Sequence, residues 1–250
     1  MRDVSFLLLE ILDRRIRPGD RRWQERVEGI TGIRFSEGLA RTSFVTLPDF
    51  DRDGFLEQYT AAPRALGKGQ LALGAAELAA LRSAGVMWSI DGWTIDQLGR
   101  VAMLALVSQR LSPTELEWTL SACYCHGDSR ERQAVLRALP FMEWAERFIP
   151  LAVDACRTNE VPIFEAIACE NPFPSTLFPD LNFNQMVLKA LFMGVALGRI
   201  FALDRRRTPE LARMAEGYAS ERRAAGRSVP SDIGRITPYR EEDRATRIPE

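Results

Sequence analysis

The sequence predicts an all-α protein of irregular stacked helical hairpins, in the manner of an armadillo or HEAT superhelix. Three observations predict this class. Helix-start signals recur along the chain, runs of helical period lie between them, and no convincing six-residue run alternates as a half-buried strand does. No clean repeat of about 40 residues marks the stack, so an irregular helical bundle stays open as the alternative.

The first segment, "MRDVSFLLLEILDRRIRPGD", reads as an amphipathic helix with Phe6, Leu9 and Leu12 near one face. Glu10 and Asp13 break its apolar run, which is too short and too charged for a signal core or a spanning helix. From Thr31 to Gly74 the chain mixes Gly, Pro, Asp and Phe, and reads as loop with one or two short helices. "RTSFVTL", Arg41 to Leu47, is the nearest approach to a strand, and one short run cannot make a sheet.

Helix starts are then clear. "TIDQ" sets Thr94 against Gln97, "SPTE" sets Ser112 against Glu115, and "DSRE" sets Asp128 against Glu131. Each fits a capping box, in which the cap side chain bonds a free backbone N–H and the later side chain reaches back. Thr208 caps a further helix with Pro209 at its first position. Leu98 to Leu111 is apolar on nearly all sides and predicts an interior helix. Helices follow over Leu116–Cys125, Arg132–Leu139, Ala145–Cys156 and Pro162–Cys169, with a kink or shifted start expected at Pro150. The tail from Gly226 is rich in Pro, Arg and acids and reads as extended or disordered. The organisation expected is therefore N-terminal helices and loop over 1–93, a main helical domain over 94–226 and a tail over 227–250.

The 250 residues carry a formal net charge of −1, and 46% of them are hydrophobic. That is ordinary for a protein that buries a core, and it gives no global basic field for nucleic acid. The arginines are scattered and interleaved with acids. Cys123, Cys125, Cys156 and Cys169 form no Cys-x-x-Cys pair, so free thiols are expected. No window is long and uncharged enough for a membrane span.

Few side chains suggest chemistry. "CYCHG" places Cys123, Cys125 and the only histidine, His126, close together, but the second half of a zinc site is missing. Small core thiols with a histidine at a helix C-terminus are the simpler reading. "GKG" at Gly67–Gly69 is not a phosphate loop, and no dinucleotide fingerprint is present, so no cofactor is expected. Asp154, Glu165 and Glu170 lie on apolar helical segments as candidate buried acids, although Arg157 gives Asp154 a ready surface partner.

"DLNFNQMVLKALFMGV", Asp180 to Val195, is stronger. It reads as one mostly apolar helix that keeps Asn182, Asn184, Gln185 and Lys189. Lys189 is one of two lysines, against 31 arginines. With Asn182 set at 0°, Gln185 falls near 300° and Lys189 near 340°, at about 100° per residue. These three share a narrow face flanked by Met186, Phe192 and Met193, while Asn184 falls on the opposite side. Such a strip can line a pocket, with the lysine facing a phosphate or carboxylate. An ordinary helix with a thin wet face and Asn182 as N-cap fits equally well. The loop before it, "CENPFPSTLFPDLN", is stiffened by three prolines, and a stiff loop can aim a ligand at free backbone N–H groups.

"ENPFPSTLFPDLNFNQMVLKALFMGVAL", with "LDRRRTPELARMAEGYASERRAAGRSVP" after it, resembles the hallmark segment of the EboA metabolite-traffic family. The resemblance covers about residues 94 to 230 and is sharpest from Glu170 to Arg227. It implies a bacterial protein whose gene lies beside those of a membrane prenyltransferase, TIM-barrel proteins and a sugar-phosphate-cyclase-like enzyme. It further implies traffic of a secondary-metabolite precursor or product toward the cell envelope, by a cytoplasmic protein that is free or peripheral to the inner membrane. The implied partners are a small metabolite or prenylated intermediate and proteins of the same gene cluster. Glu170, Asn171, Pro172, Asn182, Asn184, Gln185 and Lys189 become the candidate site residues. A non-catalytic binding or scaffold role comes first. The alternatives are an enzyme, a transferase or isomerase acting on a cyclitol or sugar-like intermediate with Lys189 and Glu170 as acid and base, and a protein-interaction module for the cluster enzymes.

Overall fold

The computed structural model describes residues 4–16, 21–32 and 50–238. Among them the chain is all-α, with twelve α-helices, several short 3-10 turns and a single antiparallel bridge between Gln70 and Thr94. Helix lengths run unevenly from 5 to 16 residues, and a regular superhelical repeat does not follow from them. The chain divides into two compact units, Met1–Phe148 and Ile149–Glu250. The helix start at Thr94, read above as a border, lies inside the first unit.

The first unit holds α1 (Val4–Asp13), α2 (Arg21–Thr31), α3 (Arg52–Leu66), α4 (Ala75–Ser83), α5 (Ile95–Ser108), α6 (Pro113–Cys125) and α7 (Ser129–Ala138). Its centre is α5, buried from Asp96 to Ser108, with α1, α3 and α7 packed around it. Its apolar sequence on all sides is what such a central position requires. Gly99 lets neighbours approach closely, since a Cβ there would lie 2.4 Å from Leu66 and 3.4 Å from Trp23. The capping signals form as read. Asp128 and Glu131 exchange bonds of 2.7 and 2.8 Å, and Gln97 accepts the Thr94 N–H at 3.1 Å. Helix α1 is buried more completely than an amphipathic reading implies, with Phe6 to Leu9, Ile11 and Leu12 all in the core.

The segment from Thr31 to Gly74 corrects the sequence reading. It contains α3, fifteen residues long and capped by Asp51, whose side chain accepts the Gly54 N–H at 2.9 Å. Phe55, Tyr59, Ala62 and Leu66 recur at helical spacing and are buried; Gly54 and Pro63 obscure that period. Arg41–Leu47 lies outside the described residues.

Arg100 is 1% exposed. Its guanidinium donates to Asp96 at 3.0 Å and to the Tyr59 carbonyl at 2.9 Å. Asp96, fully buried, also accepts from Arg130 at 2.7 Å and from the Thr94 hydroxyl at 2.6 Å. A buried carboxylate survives here because its lone pairs are taken by two cations and a hydroxyl.

The second unit holds α8 (Ile149–Ala155), α9 (Val161–Ala168), α10 (Phe173–Leu177), α11 (Asp180–Met193) and α12 (Pro209–Ala224). Pro150 acts as expected: the run from Ala145 splits into a 3-10 turn and a helix restarting at Ile149. Helix α11 ends at Gly194, whose φ of 73° suits glycine. Thr208 caps α12 by accepting the Leu211 N–H at 3.0 Å. The described part of the tail, 227–238, is more ordered than its composition suggests, and 239–250 lie outside the described residues. Ser231–Arg235 forms a 3-10 turn, Ile236 is buried, and Asp232 accepts the Leu197 N–H at 2.7 Å. The Arg235–Asp204 pair and a bond from Arg207 to the Pro238 carbonyl help to tie this segment down. No described helix is long and apolar enough to cross a membrane.

Replacing Asp96 by alanine would leave buried Arg100 with only the more distant Glu131 carboxylate, at 3.6 Å. The expected loss is about 3–5 kcal/mol of unfolding free energy, read by urea denaturation. A loss under about 1 kcal/mol, typical of an exposed pair, would contradict this role.

Candidate functional site

The opening of the second unit's site is set by its stiff loop. Pro172, Pro174 and Pro179 remove backbone donors, and α10 between them is only five residues long. Two nearby carbonyls therefore need outside partners. Arg206, 5% exposed, supplies them: it donates to the carbonyls of Ser175 and Phe178, each at 2.7 Å. It also donates to Asp180 Oδ1 at 3.0 Å and lies over the Phe183 ring at 4.8 Å. Phe178 is thereby fixed, with its ring edge-on to Phe173, and α11 starts at Asp180 in a set orientation. Asn182 sits inside the helix rather than at its cap, which falls on Pro179.

That orientation turns the polar strip toward a recess of about 300 Å³. Asn182, Gln185, Met186 and Lys189 line it from α11, and Phe178 lines it from the loop. Val153, Cys156 and Arg157, at and beyond the end of α8, complete the lining. The strip read from the sequence thus faces one cavity. Of its expected apolar flanks only Met186 takes part; Phe192 is 68% exposed and outside the lining.

Lys189 is half-buried. Its ammonium donates to Asn159 Oδ1 at 2.8 Å and to the Arg157 carbonyl at 3.4 Å, both neutral acceptors. Arg157 pairs with Asp154 at 3.5 Å on the open surface, the helix-surface pair that the spacing suggests. The lining therefore holds two cations and no carboxylate. Burial pushes the Cys156 thiol up to about 12, with the Lys189 charge pulling weakly the other way. At neutral pH Cys156 is a protonated, weakly polar wall.

The remaining candidates lie elsewhere. Asn184 is buried on the opposite face of α11, where its Nδ2 donates to Thr208 Oγ1 at 3.4 Å. It ties α11 to the cap of α12. Asn171 accepts the Phe173 N–H at 3.0 Å and donates to the Ala166 carbonyl at 2.9 Å, shaping the turn into α10. Glu170 adopts a φ of 45° and is held by a two-pronged pair with Arg199, both bonds 2.9 Å. Arg199 pairs with Glu165 as well. Asp154, Glu165 and Glu170 are thus paired and not buried. Pro172 begins the loop and does not line the recess. Cys123 is buried as expected, Cys125 is exposed, and His126 caps the C-terminus of α6. No metal-holding cluster occurs among the described residues.

Sequence reasoning missed Arg206, Arg157, Cys156, Val153 and Phe178 as parts of the site. Among these only Phe178 carried a signal, as part of the stiff loop "CENPFPSTLFPDLN".

The family model described as metabolite traffic protein EboA matches residues 48–237. The match reaches further toward the N-terminus than the resemblance read from the hallmark segment. No curated protein and no solved structure matches the chain.

Thiol chemistry tests this geometry. Burial holds Cys123, Cys156 and Cys169 each at about 12, whereas Cys125 is exposed. At about pH 8 a disulfide reagent should therefore modify one thiol quickly in the native protein, and Cys125→Ser should abolish that phase. In Arg206→Ala the loop carrying Phe178 should loosen and Cys156 should react severalfold faster, while Cys123 keeps its native rate. Unchanged Cys156 reactivity would show that Arg206 does not hold the recess together.

Proposed function

The chain belongs to the EboA family of metabolite traffic proteins, and we propose that the recess on α11 binds a small secondary-metabolite precursor or product without transforming it. The protein would carry or present that molecule in the cytoplasm, free or against the inner membrane. It would pass the molecule between proteins of its gene cluster on the way to the cell envelope.

One observation carries the reading. A mostly apolar helix keeps Asn182, Gln185 and Lys189 on a single strip, and that strip lines a recess with an apolar wall. Pockets that bind small molecules combine apolar walls with a few placed polar groups in this way. Two amides can donate and accept, and the two cations can meet an anionic group. The lining includes no carboxylate or histidine to accept a proton, and its one thiol stays protonated. An acid–base pair of Lys189 and Glu170 has no geometric support, because Arg199 occupies the Glu170 carboxylate.

Titration of metabolites from the gene cluster against wild type and variants tests the proposal. Lys189→Ala should weaken binding about 10- to 100-fold, the loss expected for a hydrogen bond to a charged group. Asn184→Ala, on the buried face, should leave the affinity of the folded protein unchanged. Equal affinities in wild type and Lys189→Ala would remove Lys189 from the site.

A further inference from the structure

We infer that the ligand is an anionic amphiphile, with its charged end in the recess and its hydrocarbon chain on the exposed apolar stripe of α11. This rests on the recess being the ligand site, and it adds the chemical class.

The charge of the lining supports the anionic end. Arg157 and Lys189 face a recess with no lining carboxylate. Among the described residues the Arg157 guanidinium has only the long 3.5 Å contact with Asp154, and both side chains are at least 70% exposed. Lys189 is anchored by two neutral oxygens, which position the ammonium and leave its charge uncompensated. A phosphate or carboxylate would supply the missing negative charge.

The stripe supports the chain. Counted from Leu181, Phe192 lies about 20° and Leu188 about 340° around the helix, so the three fall within about 40°. Leu181 is 61% and Phe192 68% exposed, and Leu188 is partly exposed. A single exposed leucine needs no explanation, but an aligned run of large apolar side chains invites a cover. The stripe also runs directly into the recess. Gln185 follows at about 40° and Lys189 at about 80° on the same helix, so one helical face passes from apolar to cationic. The volume agrees. About 300 Å³ is at the small end of ligand pockets: it suits a headgroup, and any longer chain must lie outside, where the stripe begins.

The test is calorimetric titration of the full chain with butyl, octyl and dodecyl phosphate, each below its micelle concentration, and with dodecanoate. Affinity should rise with chain length by about twofold per methylene, half-way to the roughly fourfold of complete burial. Phe192→Ser, at an exposed position that spares the fold, should flatten that rise and leave butyl phosphate unaffected. Lys189→Ala should weaken all three alkyl phosphates by a similar factor. Either dodecyl phosphate or dodecanoate as the tighter ligand supports the proposal and selects the headgroup. Equal affinity for butyl and dodecyl phosphate would overturn the chain assignment while leaving an anion-binding recess intact. Equal binding of uncharged dodecyl maltoside would overturn the anionic end. Binding that ignores Lys189→Ala would place the ligand elsewhere and defeat the recess reading itself. Capture by phosphatidylserine vesicles without binding of monomers would replace the ligand with a membrane surface.

Discussion

The second unit depends on the guanidinium of Arg206. The segment ahead of α11 has too many prolines to satisfy its own carbonyls, and burying such groups unpaired is costly. Arg206 answers this with two bonds of 2.7 Å to the Ser175 and Phe178 carbonyls and a third to Asp180. Its charge is balanced by the carboxylate and spread over the Phe183 face, the arrangement in which a planar guanidinium tolerates burial best. The consequence is directional. Asp180 is the first residue of α11 and Phe178 lines the recess, so one side chain fixes both the helix entry and an apolar wall.

From that entry the rest follows by helical geometry. Asn184 points into the core toward Thr208, which caps α12, and its contact joins the two helices. The opposite side then carries Asn182, Gln185 and Lys189 to the recess. The polar groups of α11 thus divide between two faces: Asn184 lies in the core, and the strip faces the cavity. The first unit uses the same chemistry. Arg100 and Asp96 are buried against each other, with the guanidinium also bonded to the Tyr59 carbonyl of α3, and this ties α5 to α3.

What could be read in the sequence was what local spacing controls. The capping boxes at Ser112 and Asp128 require only side chains three residues apart, and both form. The interior character of α5 and the strip on α11 are properties of a period, so one helix suffices to see them. Contacts between residues distant in the chain were not legible. Arg206 meets carbonyls 28 and 31 residues away, and it looked like one more scattered arginine in "DRRRTPE". Cys156 and Val153 reach the recess only because α8 lies opposite α11. Glu170 and Asn171 drew attention through the hallmark segment; Asn171 bonds across the turn into α10, and Glu170 pairs with Arg199. Gly54 and Pro63 hid α3, and buried Ile236 with the distant partners of Asp232 and Arg235 holds the described part of a tail whose composition argued for disorder.

The side-chain amides of α11 offer a decisive readout, because Asn182 and Gln185 line the recess while Asn184 faces the core. Their NMR resonances should be followed as octyl phosphate is added to the full chain. Binding at the recess predicts saturable shifts of the Asn182 and Gln185 amides, with the Asn184 and Asn171 amides little moved. Saturable binding that leaves Asn182 and Gln185 unshifted would contradict the assignment of α11 as the ligand-binding helix.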